Sequence, residues 1–245
     1  MNDTCIELKQ VDFAYDKNVQ ILKQVTMQIE SGESVGLIGA NGVGKSTLLK
    51  LLVGLNENYI GDIRVEGIPV SNQNLSAIRE KTGYVFQDSE NQLFMSTVSE
   101  DIAFGPRNYG LPESEVKKRV EDALKRMRIE NLAEKQIYKL SGGEKKMAAI
   151  ATILSMQPEV VLMDEPTIAL DPKNRRNLIH ILNELSQTKL IASHDLDMIY
   201  DTCDRVVLMD QGEVVADGMA KEILTDQKLL EEHGLELPLG IQRRL

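Results

Sequence analysis

Short apolar runs recur along the chain, polar only at their ends: Val35 to Ile38, Gly83 to Phe86, Val160 to Met163, Leu190 to Ser193 and Arg205 to Met209. Continuous apolar character over four or five positions suits strands covered on both faces, so these runs predict a mostly parallel sheet flanked by helices. Ile6 to Tyr15 and Val25 to Glu30 alternate apolar with polar residues. Together with Ile63 to Val65 they predict a small antiparallel sheet packed on the main one. From about Ser99 to Lys139 the period becomes helical, with Val116, Val120, Ala123, Leu124 and Met127 on one face behind the start signal Pro112-Glu113-Ser114-Glu115. A helical subdomain inserted at about 88–158 follows. From Met219 onward the pattern predicts a polar helix pair carrying Leu229, Leu230 and Leu235 ahead of Pro238. This tail, 219–245, reads either as a docking or dimerising element or as a structural cap. Without internal repeats, 1–245 is expected to be one α/β domain rather than a tandem array.

Composition narrows the class. Apolar residues at 42% and charged residues at 27% suit an ordinary globular core. With 28 Lys and Arg against 38 Asp and Glu, the formal charge is −10. Bulk charge therefore gives no grip on a nucleic-acid backbone, and no nucleic-acid partner is expected. Cys5 and Cys203 are far apart and show no metal-ligand spacing, and nothing at the N-terminus reads as a signal peptide. A reduced, cytoplasmic protein is expected. No stretch reaches the roughly 20 apolar residues of a membrane-spanning helix, so any membrane process it serves requires another chain.

The run Gly39-Ala40-Asn41-Gly42-Val43-Gly44-Lys45-Ser46-Thr47 fits G-x-x-x-x-G-K-[ST], between a strand and a helix expected over Thr47 to Leu52. It reads as the phosphate loop of a P-loop NTPase core. Gly39, Gly42 and Gly44 let the main chain, with Asn41, wrap an anion at a helix N-terminus. Lys45 is placed to bridge the β- and γ-phosphates, and Ser46 to ligate Mg²⁺ beside Thr47. The bland alternative is a glycine-rich turn that happens to hold Lys-Ser, and the flanking strand and helix argue against it. By itself the loop says only nucleoside triphosphate.

The strand Val160 to Met163 ends in Asp164-Glu165. An acid at the C-terminal edge of such a strand sits beside the metal, which assigns Asp164 to Mg²⁺ and leaves Glu165 as the base that orients the attacking water. Standing alone, the pair reads equally well as an acidic helix N-terminus or a solvated loop. Further elements resemble the ABC cassette family in order and spacing. Leu140-Ser141-Gly142-Gly143-Glu144 looks like its signature, with Ser141 and Glu144 also forming a capping box. Gln87 resembles the Q-loop glutamine, a Mg²⁺ and water contact. Ser193-His194-Asp195 resembles the switch histidine, with His194 toward the γ-phosphate. Ala169-Leu170-Asp171 matches the D-loop, and Tyr15 stands where the family stacks a ring on adenine. The resemblance runs from Ile6 to about Gly218. It departs from the family at Glu144, where Gln is usual, at Met147, where Arg is common, and at Ile168, where a small residue is usual.

The resemblance implies that Ser141, Gly142, Gly143 and Glu144 complete the ATP site of a second cassette, identical or related. Gln87 to Phe94 and Thr97 to Asn108 look like cassettes of the energy-coupling-factor importers, which take up cobalt, nickel and vitamins, and the cobalt and nickel members are the nearest match. That resemblance implies a peripheral subunit on the cytoplasmic face of the membrane, with an integral coupling protein and a substrate-binding membrane subunit as partners. For Phe94 and Met95 two readings stay open, the wall of a coupling-helix groove or ordinary core. Against this stand an ABC ATPase with a non-transport role, which usually carries coiled-coil insertions or two cassettes, and a P-loop kinase or GTPase. A GTPase would need an Asn-Lys-x-Asp reader, and the chain has none.

Overall fold

The computed structural model describes residues 4–16 and 19–242. In the small sheet, β1 (Thr4–Asp16) and β2 (Val19–Glu30) pair antiparallel, placing Ile6 opposite Ile29 and Leu8 opposite Met27. The alternation expected there is what buries one face only. The other edge of β1 pairs with a strand at Ile60–Val65, and a two-residue strand at Ile68–Pro69 closes the sheet.

The main sheet is built on β3 (Ser34–Ile38). Numbering the two small-sheet strands β4 and β5, the remaining strands are β6 (Thr82–Val85), β7 (Val160–Asp164), β8 (Thr188–Ala192), β9 (Arg205–Asp210) and β10 (Glu213–Met219). Their spatial order is β10-β9-β3-β8-β7-β6, parallel except for the edge pair β9 and β10. Successive residues feed opposite layers. Leu37, Val160, Leu162 and Leu190 pack toward the small sheet, while Ile38, Val161, Met163 and Ile191 pack toward the helices on the other side. Two-sided cover is why these runs carry polar residues only at their ends, each buried aliphatic side chain contributing about 1.5–3 kcal/mol.

The helix α1 (Lys45–Leu52) follows β3, and α2 (Leu75–Lys81) precedes β6. The inserted helices are α3 (Val98–Asn108), α4 (Glu113–Met127) and α5 (Gly142–Leu154). All five apolar residues read from the helical spacing are buried on α4. The next helices are α6 (Pro172–Glu184), capped by Asp171, and α7 (Leu196–Thr202), capped by Asp195.

Three local expectations change. The phosphate-loop helix begins at Lys45 rather than Thr47. β10 is a strand that the pattern did not reveal, because as an edge strand it alternates only between exposed and half-buried positions. Met219 ends β10 rather than opening a helix pair, and the tail is three short helices, α8 (Ala220–Ile223), α9 (Gln227–Glu232) and α10 (Leu239–Gln242). Leu230 and Leu237 are buried in the helix-side core. His233 Nδ1 lies 2.9 Å from Asp210 Oδ2, and Asp197 accepts from the main chain of Leu239 and Gly240 at 3.0 and 2.7 Å. The last residues of the expected tail, 243–245, lie outside the described residues. Phe94 is 63% exposed and stacked edge-on against Phe104, so it is not core; Met95 is half-buried. Among the described residues no helix is long and apolar enough to cross a membrane.

Candidate active site

The chain leaves β3 through a loop with Gly39 at φ 144° and Gly44 at φ 108°. Only glycine takes such angles freely, and a Cβ on Gly39 would stand 2.2 Å from the carbonyl oxygen of Met209. Gly44 caps α1 with no side-chain hydrogen bond. The first N–H groups of α1 therefore have no side-chain acceptor at the cap, a positive helix end suited to phosphate. Lys45 is buried and folds back over the loop, Nζ donating to Gly39 O at 2.6 Å and Ala40 O at 3.0 Å. Burial lowers its pKa, while Glu165 and Asp164 favour its charged form.

Tyr15, Asn41, Gly42, Gly44, Lys45, Ser46, Thr47, Gln87 and Glu165 line one cleft of about 340 Å³ with Ile21. Nine of the positions read from the sequence thus meet in one place. Tyr15 is exposed, and its hydroxyl lies 3.2 Å from Thr47 Oγ1. Gly39, at the turn of the loop, does not line this cleft.

Ser46 Oγ donates to Asp164 Oδ1 at 2.9 Å, and Tyr84 holds the other carboxylate oxygen at 3.3 Å. Burial raises the Asp164 pKa against the lowering effect of these two hydroxyls. A hydroxyl and a carboxylate side by side form an oxygen-only donor set, the kind a small divalent cation such as Mg²⁺ takes when water and phosphate fill the remaining positions. Among the described residues no group of three or more His, Cys, Asp or Glu side chains could hold a metal by itself.

Glu165 stands at φ 49°, a left-handed conformation that costs a non-glycine residue about 1–2 kcal/mol. Parallel pairing of β7 with β8 sets it beside residue 193. Its carboxylate accepts from Ser193 Oγ at 3.1 Å and from the His194 main chain at 3.1 Å, and His194 Nδ1 lies 2.8 Å from Oε2. The His194 side chain is otherwise 58% exposed. Asp195 then binds Arg175 of α6 through two bonds of 2.6 Å. The carboxylate, the histidine loop and α6 form one connected unit. Ser193 and Arg175 have roles here that no motif announced; Arg175 gave no signal beyond its place one turn after the D-loop.

The signature lies apart from this cleft. Ser141 is exposed and caps α5, its Oγ accepting from Glu144 N at 3.3 Å while Glu144 Oε2 accepts from Ser141 N at 2.7 Å. Gly143 packs on the D-loop, where a Cβ would lie 3.1 Å from Ala169 O, and Gly142 lines a second cleft of about 470 Å³ with Gln87, Asp164, Ile168 and Ala169. Asp171 is exposed, and its carboxylate accepts from Lys173 N, Asn174 N and Asn174 Nδ2 in the first turn of α6. The family departures have local reasons in two cases: Glu144 pairs with Lys135 at 2.8 Å, which lowers its pKa, and Met147 is buried in the core. Ile168 faces the second cleft.

Residues 22–168 match the family model described as ABC transporter. A putative ABC transporter ATP-binding protein of Gloeobacter violaceus is 48% identical, over 96% of this chain and 98% of the relative. An energy-coupling factor transporter ATP-binding protein EcfA of Methanothermobacter thermautotrophicus is 42% identical, over 95% and 76%. Among solved structures, cbiO1 from Clostridium perfringens, described as part of the ABC transporter complex cbiONQ, superposes with a TM-score of 0.84 at 38% identity, over 99% of this chain and 100% of that one. With loop, paired carboxylates and histidine gathered as described, the chain belongs to the ABC transporter family and is one of its ATP-hydrolysing cassettes.

Proposed function

We propose that this cassette binds Mg-ATP in the 340 Å³ cleft and hydrolyses it only as one of a pair, driving an energy-coupling-factor importer. The carrying observation is the Ser193–His194–Glu165 cluster, set on the same cleft as Lys45 and Ser46. Lys45 exchanges its loop carbonyls for the β- and γ-phosphates, Gly39 to Thr47 wrap them, and Tyr15 stacks on the base. Ser46 and Asp164, with Gln87, would hold Mg²⁺, which when bound offsets the phosphate charge. Glu165 orients the attacking water and takes its proton, while His194 keeps the carboxylate aimed and contacts the γ-phosphate. Ser141, Gly142, Gly143 and Glu144 act on the other cassette's triphosphate, and Asp171 meets its phosphate loop. ATP then joins the two cassettes and hydrolysis releases them.

The EcfA relative and cbiO1 support an energy-coupling-factor complex, with an integral coupling protein and a substrate-binding membrane subunit as partners at the cytoplasmic face. The stretches Gly142 to Lys146 and Ala192 to Asp197, which resemble the cobalt and nickel members, favour those ions as cargo over a vitamin. The motor does not touch the cargo, so no metal cluster is required of it. Glu165→Gln should retain ATP and elute as a dimer in ATP, with turnover lower by about 10²-fold or more; a monomer with bound nucleotide would count against the pair. Capture of the chain from membranes should bring down an integral subunit, whose accompanying binding subunit identifies the cargo.

A further inference from the structure

The Phe86 ring packs on the core that holds the nucleotide, but the main chain of the Q-loop is hydrogen-bonded to the signature helix. β6 pairs with β7 as far as Val85 opposite Met163, so Phe86 and Gln87 leave the sheet next to Asp164. There they meet Lys146, on the second turn of α5 and 1% exposed. Its Nζ donates to Phe86 O at 3.0 Å and Gln87 O at 2.6 Å. Gln92 runs parallel to this link: it accepts from Phe86 N at 3.2 Å and donates to Ala149 O on α5 at 2.6 Å. Lys145 pairs with Glu90 on the same loop. A lysine ammonium is expensive to bury, and burial lowers its pKa here. An apolar side chain would fill the space at less cost but would leave both carbonyls without their donor.

We propose that Lys146 is a positioning residue for hydrolysis: it locks the main chain at Phe86 and Gln87 to the signature helix, so that Gln87 is presented to the nucleotide cleft only when that helix is seated. Gln87 lines both clefts, and Lys146 and Gly142 share the second with it. Movement of the signature tip, which serves the partner's nucleotide, is thereby transmitted to the glutamine serving the chain's own. The inference rests on the reading of Gln87 as a contact of the Mg-nucleotide site.

The chain contains no tryptophan, so Asn91→Trp supplies a single reporter on the loop. In the purified chain, Lys146→Met should lower kcat about tenfold, with KM for ATP within about twofold, because a transition-state contact is displaced while nucleotide binding stays. The fluorescence anisotropy of the reporter should fall, and Lys146→Arg should recover most of kcat. A kcat within about twofold of the parent overturns the proposal, as does a loss that merely tracks the folded fraction with anisotropy unchanged. Gln87→Ala, run alongside, separates the readings. Unchanged kcat there sinks the role of Gln87, whereas a low kcat there beside a normal Lys146→Met sinks only the latch. If Lys146→Met does not fold, Gln92→Met carries the same expectation, and unchanged kcat and anisotropy overturn it.

Discussion

The phosphate loop and the signature tip are both glycine-bearing helix starts, yet they are finished differently. α1 is capped by Gly44, which offers no side chain, and a buried lysine folds over the preceding loop. α5 is capped by Ser141 in a full capping box, its glycines packed on the D-loop and its serine in solvent. The first end is left open to an anion within its own chain, next to Asp164 and the Glu165 cluster. The second is self-sufficient until another molecule offers a competing acceptor. A helix start can thus be built to receive a ligand at once or to wait, and the cap is what distinguishes the two.

The largest effect expected from that contrast is complementation. Lys45→Ala and Ser141→Arg should each abolish hydrolysis alone, the first by emptying the chain's own site and the second by spoiling the mate's. In a two-fold pair, mixed dimers regain one intact site, so an equal mixture should recover about a quarter of the wild-type rate. No recovery in a steady-state phosphate-release assay would mean that the two ends serve the same chain's site.

A smaller effect is expected at the clamp behind the open end. Arg175→Met strands Asp195, whose side chain is 17% exposed, and should lower stability by about 2 kcal/mol while loosening His194 and reducing kcat several-fold. Burial opposes the Asp195 charge, but Arg175 and the α7 cap outweigh it and depress its pKa. The folded value lies below the unfolded one. The clamp's contribution is therefore complete above the ordinary carboxylate pKa of about 4 and is lost as pH falls through the folded value. Thermal denaturation should show the full difference between parent and variant at pH 7 and a shrinking one below about pH 4.

Least is expected at the waiting end. Glu144→Gln installs the residue usual in the family, which keeps the capping box and the polar contact to the triphosphate and removes only the partly exposed charge pair with Lys135, so urea denaturation should shift by no more than about 0.5 kcal/mol, with hydrolysis unchanged. A large loss of activity would show that the charge at the signature acts on the nucleotide.

Much of this arrangement was legible in residue order. The five apolar runs became the five parallel strands, because burial on both faces leaves a mark that needs no partner to be read. The phosphate loop was equally clear, since its glycines, lysine and serine act within nine consecutive residues. β10 was not legible, because an edge strand with half-buried faces carries almost no periodic signal. The tail was misread as a pair of helices because its leucines are too few to fix a period, and what holds it in place is Asp197 and Asp210, on distant elements. Nothing in residue order sets Lys146 apart from Lys145 beside it, and only the packed structure put it in the interior.

The order of motifs and the two-sided burial of the strands were therefore determined by the sequence alone, since both depend on neighbours within one element. Tertiary structure decided which of those motifs touch. Ser46 reaches Asp164 across 118 positions, and Ser193 and His194 reach Glu165, because β3, β8 and β7 stand side by side with their C-terminal ends aligned. Strand adjacency is set by how the layers of the core pack against one another, a property of the whole chain that no local run of residues carries.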